Sequence, residues 1–132
     1  MAKILIVEDE APNVEILSRL LARKNHQTAV AGNKQAALEL ARAQRFDLIL
    51  MDIGIPDSPS EGKNDTGGLE AARELKSDAA TRSIPIIALT AHAMLDDKQR
   101  FVEAGCAAVQ TKPYVFTELL AEIEKHLASE RT

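Results

Sequence analysis

The sequence predicts an α/β fold built on a five-stranded parallel sheet, and two observations lead to this prediction. First, short apolar runs alternate with helical patterns along the 132 residues of the chain. Continuous apolar runs of this length are typical of strands that are buried on both faces of a parallel sheet. Second, most of these runs lead directly into a polar or charged residue. Because parallel strands end on one edge of the sheet, where open α/β folds bind ligands, these residues are expected to meet there.

Five strands are predicted from the apolar runs. The first leads into Glu8 and Asp9, and the third leads into Asp52. The fourth ends at Thr90, and the fifth leads into Lys112. A shorter second strand lies between the first two helical patterns. The predicted strands cover residues 4–7, 27–31, 47–51, 84–90 and 108–111.

Five helices are predicted between and after these strands. Pro12 stands where the first turn of a helix tolerates proline, and Asn33 is a suitable N-cap. The pair Gly67 and Gly68 precedes the third helix, and Gly105 is expected to end the fourth as a C-cap. The last helix has apolar residues at spacings of three and four. The first helix is predicted to have about 12 residues. The second is predicted over 36–45, the third is predicted to end at 76, the fourth covers 95–104 and the fifth begins at 116.

Length and composition indicate a single globular domain over residues 1–132, with 45% hydrophobic and 27% charged residues. The net charge of −4 and the lack of a Lys/Arg-rich run disfavour direct nucleic-acid binding. The single cysteine, Cys106, cannot form an internal disulfide, and the first residues lack a signal-peptide pattern. We therefore predict a cytoplasmic protein. No membrane association is expected, because no apolar stretch has the length of a membrane helix.

The residues at the strand ends have complementary chemistry. Three carboxylates, from Glu8, Asp9 and Asp52, would repel one another at the sheet edge unless a cation offset their charge. Because the expected ligands are oxygens, Mg²⁺ fits better than zinc. Bound Mg²⁺ leaves positions for phosphate oxygens, and an aspartate can attack phosphorus to form an acyl phosphate. With Thr90 as a hydroxyl donor and Lys112 as a positive charge, the set predicts phosphoryl transfer onto Asp52.

At these residues the sequence resembles the receiver domain of two-component response regulators over essentially the whole chain. The resemblance lies in the acidic pair of Val7–Glu10, in Asp47–Asp52 followed by Pro56, in Leu89–Ala91 and in Lys112–Pro113. It implies a flavodoxin-like, doubly wound sheet with the strand order 2-1-3-4-5 and a site at its switch point. It also implies a signalling switch rather than an enzyme, although one that assists its own phosphorylation and dephosphorylation.

The resemblance implies a role for each residue of the set. Asp52 would accept a phosphoryl group from a histidine kinase or a histidine phosphotransfer protein. Glu8, Asp9, Asp52 and the backbone carbonyl of Gly54 would bind Mg²⁺. Thr90 would move toward the phosphate and couple it to the fourth helix and fifth strand. Lys112 would pair with the acceptor or the phosphate, and its peptide bond to the following proline is commonly cis in the family.

Two features depart from the family pattern. Eleven residues, the polar loop 57–67, precede Gly68, where the family usually has about three. This loop could select partners or shield the acyl phosphate, or it could be a tolerated surface insertion. Val109 stands where the family usually has an aromatic switch residue, which puts the usual coupling of Thr90 to an aromatic ring in question. Tyr114 is nearby in the sequence.

Two other functions are open at this point. An aspartate nucleophile with Mg²⁺ also fits a phosphohydrolase that acts on small phosphate esters, although Gly54 stands where such enzymes commonly have a second Asp. The presence of all five site residues disfavours an interaction module that is never phosphorylated. Because no output domain follows the fifth helix, the chain is expected to be a stand-alone regulator or a receiver cut from a longer protein.

Overall fold

Five strands alternate with five helices in the computed structural model, which describes residues 2–56, 67–90 and 95–130. The strands are β1 (Lys3–Val7), β2 (Gln27–Ala31), β3 (Leu48–Asp52), β4 (Ile86–Thr90) and β5 (Ala108–Thr111). The helices are α1 (Ala11–Ala22), α2 (Lys34–Ala43), α3 (Gly67–Ser77), α4 (Leu95–Glu103) and α5 (Phe116–Glu130). All neighbouring strands are parallel, in the order β2-β1-β3-β4-β5, which confirms the predicted architecture. Ten residues of the predicted polar loop, 57–66, lie outside the described residues.

The predicted boundaries of several elements are wrong by one or two residues, for local reasons. The side chain of Asn33 accepts a hydrogen bond from the backbone N–H of Ala36 at 2.8 Å. The helix α2 therefore begins at the residue directly after this cap. It ends before Gln44, whose backbone is extended. β4 begins after Pro85, which has no N–H for a strand ladder. The predicted cap after α4 is confirmed, since Gly105 has a φ of +100°.

Both faces of the sheet are covered by helices, so its strands contribute to two hydrophobic clusters. In β1, Leu5 and Val7 belong to the cluster that includes residues of α2 and α3, whereas Ile4 and Ile6 belong to the cluster with α1 and α5. This alternation explains why residues 4–7 of the strand are all apolar. Among the described residues, no helix combines the length and the apolar character needed to cross a membrane.

The third helix packs closely against the chain segment that follows β3. A Cβ atom added at Gly68 would lie 2.4 Å from the carbonyl oxygen of Asp52 and 2.6 Å from the Cα of Ile53. The N–H of Gly68 donates to the carbonyl oxygen of Ile53 at 2.9 Å. Glycine at the start of α3 therefore allows the helix to support the backbone that carries Asp52.

We expect Gly68→Ala to lower the free energy of unfolding by about 2–3 kcal/mol, because the added methyl group forces the helix and the strand end apart. Gly54→Ala is the matched control, since nothing lies within 4 Å of a Cβ atom at that position. Its effect should stay within about 1 kcal/mol. Urea denaturation followed by circular dichroism measures both variants, and equal stabilities would contradict the close packing.

Candidate functional site

The fold brings the predicted site residues to the carboxyl edge of the sheet. Glu8 and Asp9 directly follow β1, and Asp52 is the last residue of β3. Thr90 is the last residue of β4, and Lys112 directly follows β5. These residues are separated by more than a hundred positions in the sequence, and the parallel arrangement of the strands places them on one side of the fold.

Three carboxylates meet at this edge. One oxygen from each of Glu8, Asp9 and Asp52 lies within 4.8 Å of the other two. Only 2% of Glu8 and 4% of Asp52 is exposed, and Asp9 is half-buried. Negative charges at this separation repel one another strongly where water is largely excluded, so the cluster requires nearby positive charge.

Lys112 supplies part of that charge. Its Nζ lies 3.2 Å from Oδ1 of Asp52 and 3.7 Å from Oε2 of Glu8. Its backbone N–H donates to the carbonyl oxygen of Thr90 at 2.7 Å, which ties the lysine to the end of β4. The peptide bond to Pro113 is cis, as the resemblance implies. One ammonium group still leaves a cluster of three carboxylates with excess negative charge.

The carboxylate of Glu8 is held by the chain that follows it. Its Oε1 accepts the backbone N–H of Glu10 at 3.2 Å and the Nδ2 of Asn13 at 3.3 Å. Its Oε2 is buried and accepts no hydrogen bond from the described residues. Reasoning from the sequence did not identify Asn13, because a polar residue in the first turn of a helix is common and no strand end marks it.

The pKa of Glu8 is raised from 4.5 to about 7, mainly by burial and also by the neighbouring carboxylate of Asp52. The charge of Lys112 and the hydrogen bond from Asn13 oppose this rise. Burial, together with the charges of Glu8 and Asp52, also raises the pKa of Tyr114. The lysine therefore does not fully compensate the negative charge of the cluster.

The acidic cluster fits a hard divalent cation. It offers carboxylate oxygens from three residues, including the buried Oε2 of Glu8, which accepts no hydrogen bond from the described residues. Oxygen ligands of this kind are those that Mg²⁺ prefers. The backbone N–H of Gly54 donates to Oδ1 of Asp52 at 3.3 Å, so Gly54 lies beside this carboxylate. Metal binding by the carbonyl of Gly54 stays a prediction.

Val109 and Tyr114 pack on opposite faces of the sheet. Val109 packs against the cluster that includes α2 and α3, whereas Tyr114 packs against the cluster that includes α1 and α5. Tyr114 also lines a cavity of about 530 Å³ next to the carboxylates, together with Asn13, Ile16 and Lys112 among others. Tyr114 is therefore close to the site but does not occupy the place of a ring at position 109.

Comparison with known proteins gives consistent matches over most of the chain. A family model described as the response regulator receiver domain matches residues 4–124. The polar-differentiation response regulator DivK of Brucella anthropi is 37% identical over 124 residues, which is 94% of this chain and 94% of the relative. These matches cover the predicted site residues.

Two solved structures illustrate the similarity in three dimensions. The receiver domain of a sensor histidine kinase from Pseudomonas aeruginosa PAO1 has a TM-score of 0.82 and 29% identity, with 96% of this chain and 98% of that chain covered. That structure has a magnesium ion coordinated in the active site cleft. The chemotaxis response regulator CheY4 of Vibrio cholerae has a TM-score of 0.83 and 25% identity, with the same coverage.

The raised pKa of Glu8 predicts how stability depends on pH when divalent cations are removed. The stabilising contribution of protonated Glu8 is complete below about pH 4.5 and is lost as the pH rises through about 7. In EDTA, Glu8→Gln should therefore be more stable than the wild type at pH 8, by about 2 kcal/mol. This figure is below the full linkage value because solvent reaches the cluster at Asp9. At pH 5 the difference should be much smaller.

Urea denaturation at both pH values measures this effect. Glu124→Gln is the matched control, since Glu124 is an exposed glutamate on α5. We expect this control to follow the pH dependence of the wild type. If Glu8→Gln also followed it, Glu8 would be ionised in the folded protein across this range.

Proposed function

The chain belongs to the response regulator receiver domain family, and we propose that it is a switch in which Asp52 accepts a phosphoryl group. One observation carries this proposal. The buried carboxylate of Asp52 lies 3.2 Å from the Nζ of Lys112 and within 4.8 Å of two further carboxylates. A nucleophilic carboxylate, a fixed cation and a site for a divalent ion are the groups that phosphoryl transfer requires.

In this proposal, Glu8, Asp9, Asp52 and the carbonyl of Gly54 hold Mg²⁺. The bound ion supplies positive charge that offsets the carboxylates and the phosphoryl oxygens. An oxygen of Asp52 forms the new bond to phosphorus while the bond from phosphorus to the donor breaks. Lys112, close to Asp52 before transfer, neutralises charge on the transferred group. The donor is a histidine kinase or a histidine phosphotransfer protein.

The phosphoryl group then changes the surface that a partner recognises. Thr90 is buried at the end of β4, and its carbonyl oxygen accepts the backbone N–H of Lys112. A movement of the Thr90 hydroxyl toward the phosphoryl oxygens would therefore act on the ends of β4 and β5 together. Because Val109 is not aromatic, this response does not depend on a ring at that position. A target protein binds differently to the changed surface.

The proposal treats residues 1–132 as one receiver domain in the cytoplasm, including the polar segment 57–67. It includes assistance by the domain to its own phosphorylation and dephosphorylation. Phosphohydrolases with an aspartate nucleophile commonly have a second Asp two residues after it, where this chain has Gly54. We therefore favour a single transfer over turnover of phosphate esters.

The test is to incubate the protein with Mg²⁺ and acetyl phosphate and to measure its intact mass. We expect one added phosphoryl group in the wild type, because Asp52 belongs to the acidic cluster and its Oδ1 lies 3.2 Å from the Nζ of Lys112. Asp52→Asn keeps the size of the side chain but lacks the nucleophilic carboxylate, so it should gain no mass. Omitting Mg²⁺ should lower the rate of phosphorylation at least tenfold, which corresponds to a barrier about 1.4 kcal/mol higher.

The same samples separate the alternative functions. Continuous release of phosphate from a small phosphate ester, dependent on Asp52, would favour the phosphohydrolase. A wild type that neither gains mass nor releases phosphate would favour the interaction module. An adduct that persists in Asp52→Asn would assign the acceptor to another residue.

A further inference from the structure

Asn13 connects the acidic loop after β1 to the first turn of α1. Its Nδ2 donates to Oε1 of Glu8 at 3.3 Å and to Oε2 of Glu10 at 3.0 Å. The backbone N–H of Glu10 donates to the same oxygen of Glu8 at 3.2 Å. Oε1 of Glu8 is therefore bound by two donors that are not part of the carboxylate cluster.

These two bonds determine which oxygen of Glu8 faces the cluster. Oε2 is buried, accepts no hydrogen bond from the described residues and lies 3.7 Å from the Nζ of Lys112. The backbone of Glu8 is also fixed, since its N–H donates to the carbonyl oxygen of Ala31 at 2.9 Å. Rotation of the carboxylate would therefore break the bonds that hold Oε1.

A cavity beside the site is the space into which Glu8 could turn without the hydrogen bonds to its Oε1. The cavity of about 530 Å³ is lined by both Glu8 and Asn13 and is partly open. Repulsion from Asp9 and Asp52 favours any rotamer that moves the carboxylate of Glu8 away from them. The cavity offers such a place, and the bond from Asn13 opposes that movement.

We propose that Asn13 is a positioning residue for the metal site: it holds Glu8 so that Oε2 faces the cation shared with Asp9 and Asp52. This inference rests on the proposed function, because it takes Mg²⁺ as the ion at the cluster. Groups that orient a metal ligand typically change metal affinity about 10- to 100-fold when they are removed. Asn13 is half-buried in the first helical turn, where alanine is well tolerated, so the fold should not depend on it.

The test compares the wild type with Asn13→Ala and Asn13→Leu, two substitutions that remove the donor but differ in size. Mg²⁺ is titrated while NMR follows the backbone amide of Gly54, which donates to Asp52. We expect the Kd for Mg²⁺ to rise about tenfold in both variants. Their Tm in EDTA should stay within about 3 °C of the wild type, since the loss concerns the cation and not the fold.

A kinetic measurement distinguishes positioning from a general structural role. The rate of phosphorylation by acetyl phosphate is measured as a function of Mg²⁺ concentration. We expect the half-saturating concentration to rise about tenfold in both Asn13 variants, with the rate at saturation within about twofold of the wild type. A lower rate at saturating Mg²⁺, together with a lower Tm in EDTA, would overturn the proposal in favour of a structural role.

Glu10→Gln shows which of the two bonds from Asn13 matters. It keeps the backbone N–H of Glu10 and the bond from Asn13 to Glu8, but it removes the negative charge at the second acceptor. We expect its Kd for Mg²⁺ to stay within about threefold of the wild type, as for a nearby solvent-exposed charge. A loss as large as that of Asn13→Ala would overturn the proposal.

The outcomes also separate this inference from the proposed function. If the wild type binds Mg²⁺ and takes up a phosphoryl group while Asn13→Ala binds Mg²⁺ equally well, only the role of Asn13 is wrong. If the wild type shows neither property, the proposed function fails and the role of Asn13 fails with it.

Discussion

Repulsion among three carboxylates at a buried sheet edge is the constraint on which the rest of this structure depends. Glu8, Asp9 and Asp52 have oxygens within 4.8 Å of one another, and two of these residues are almost fully buried. Lys112 offsets only part of the charge, since one ammonium group faces three carboxylates. The arrangement is unfavourable for folding alone, and it becomes favourable when a cation is bound.

The fold holds the carboxylates together despite this repulsion. The strands that carry Asp52 and Glu8 are buried on both faces, so their ends cannot move apart without exposing the core. The backbone of α3 lies against the carbonyl of Asp52, at a distance that only glycine at position 68 allows. The N–H of Lys112 donates to the carbonyl of Thr90, so the lysine is fixed by the same sheet.

The sequence was sufficient to predict the strands and the residues at their ends, because the fully buried strands β3 and β4 and residues 4–7 of β1 are mostly apolar and the polar residues at their ends stand out. The strand order came from the resemblance and not from the periodicity, since apolar runs do not specify their neighbours. The hydrogen bonds from Asn13 and the contact at Gly68 could not be predicted, because they depend on how loops and helices approach in three dimensions. The opposite placement of Val109 and Tyr114 was missed for the same reason, since Tyr114 lies beyond β5.

The raised pKa of Glu8 links proton binding to cation binding at this site. Near pH 7 the folded protein holds a proton at Glu8 in a substantial fraction of molecules. A divalent cation at this site would require the ionised carboxylate, so cation and proton would compete, and cation binding would release the proton. The bond from Asn13 favours the ionised form and therefore acts in the same direction as the cation. The same hydrogen bond therefore acts on both the orientation and the charge of Glu8, and it joins the first helix to the sheet edge.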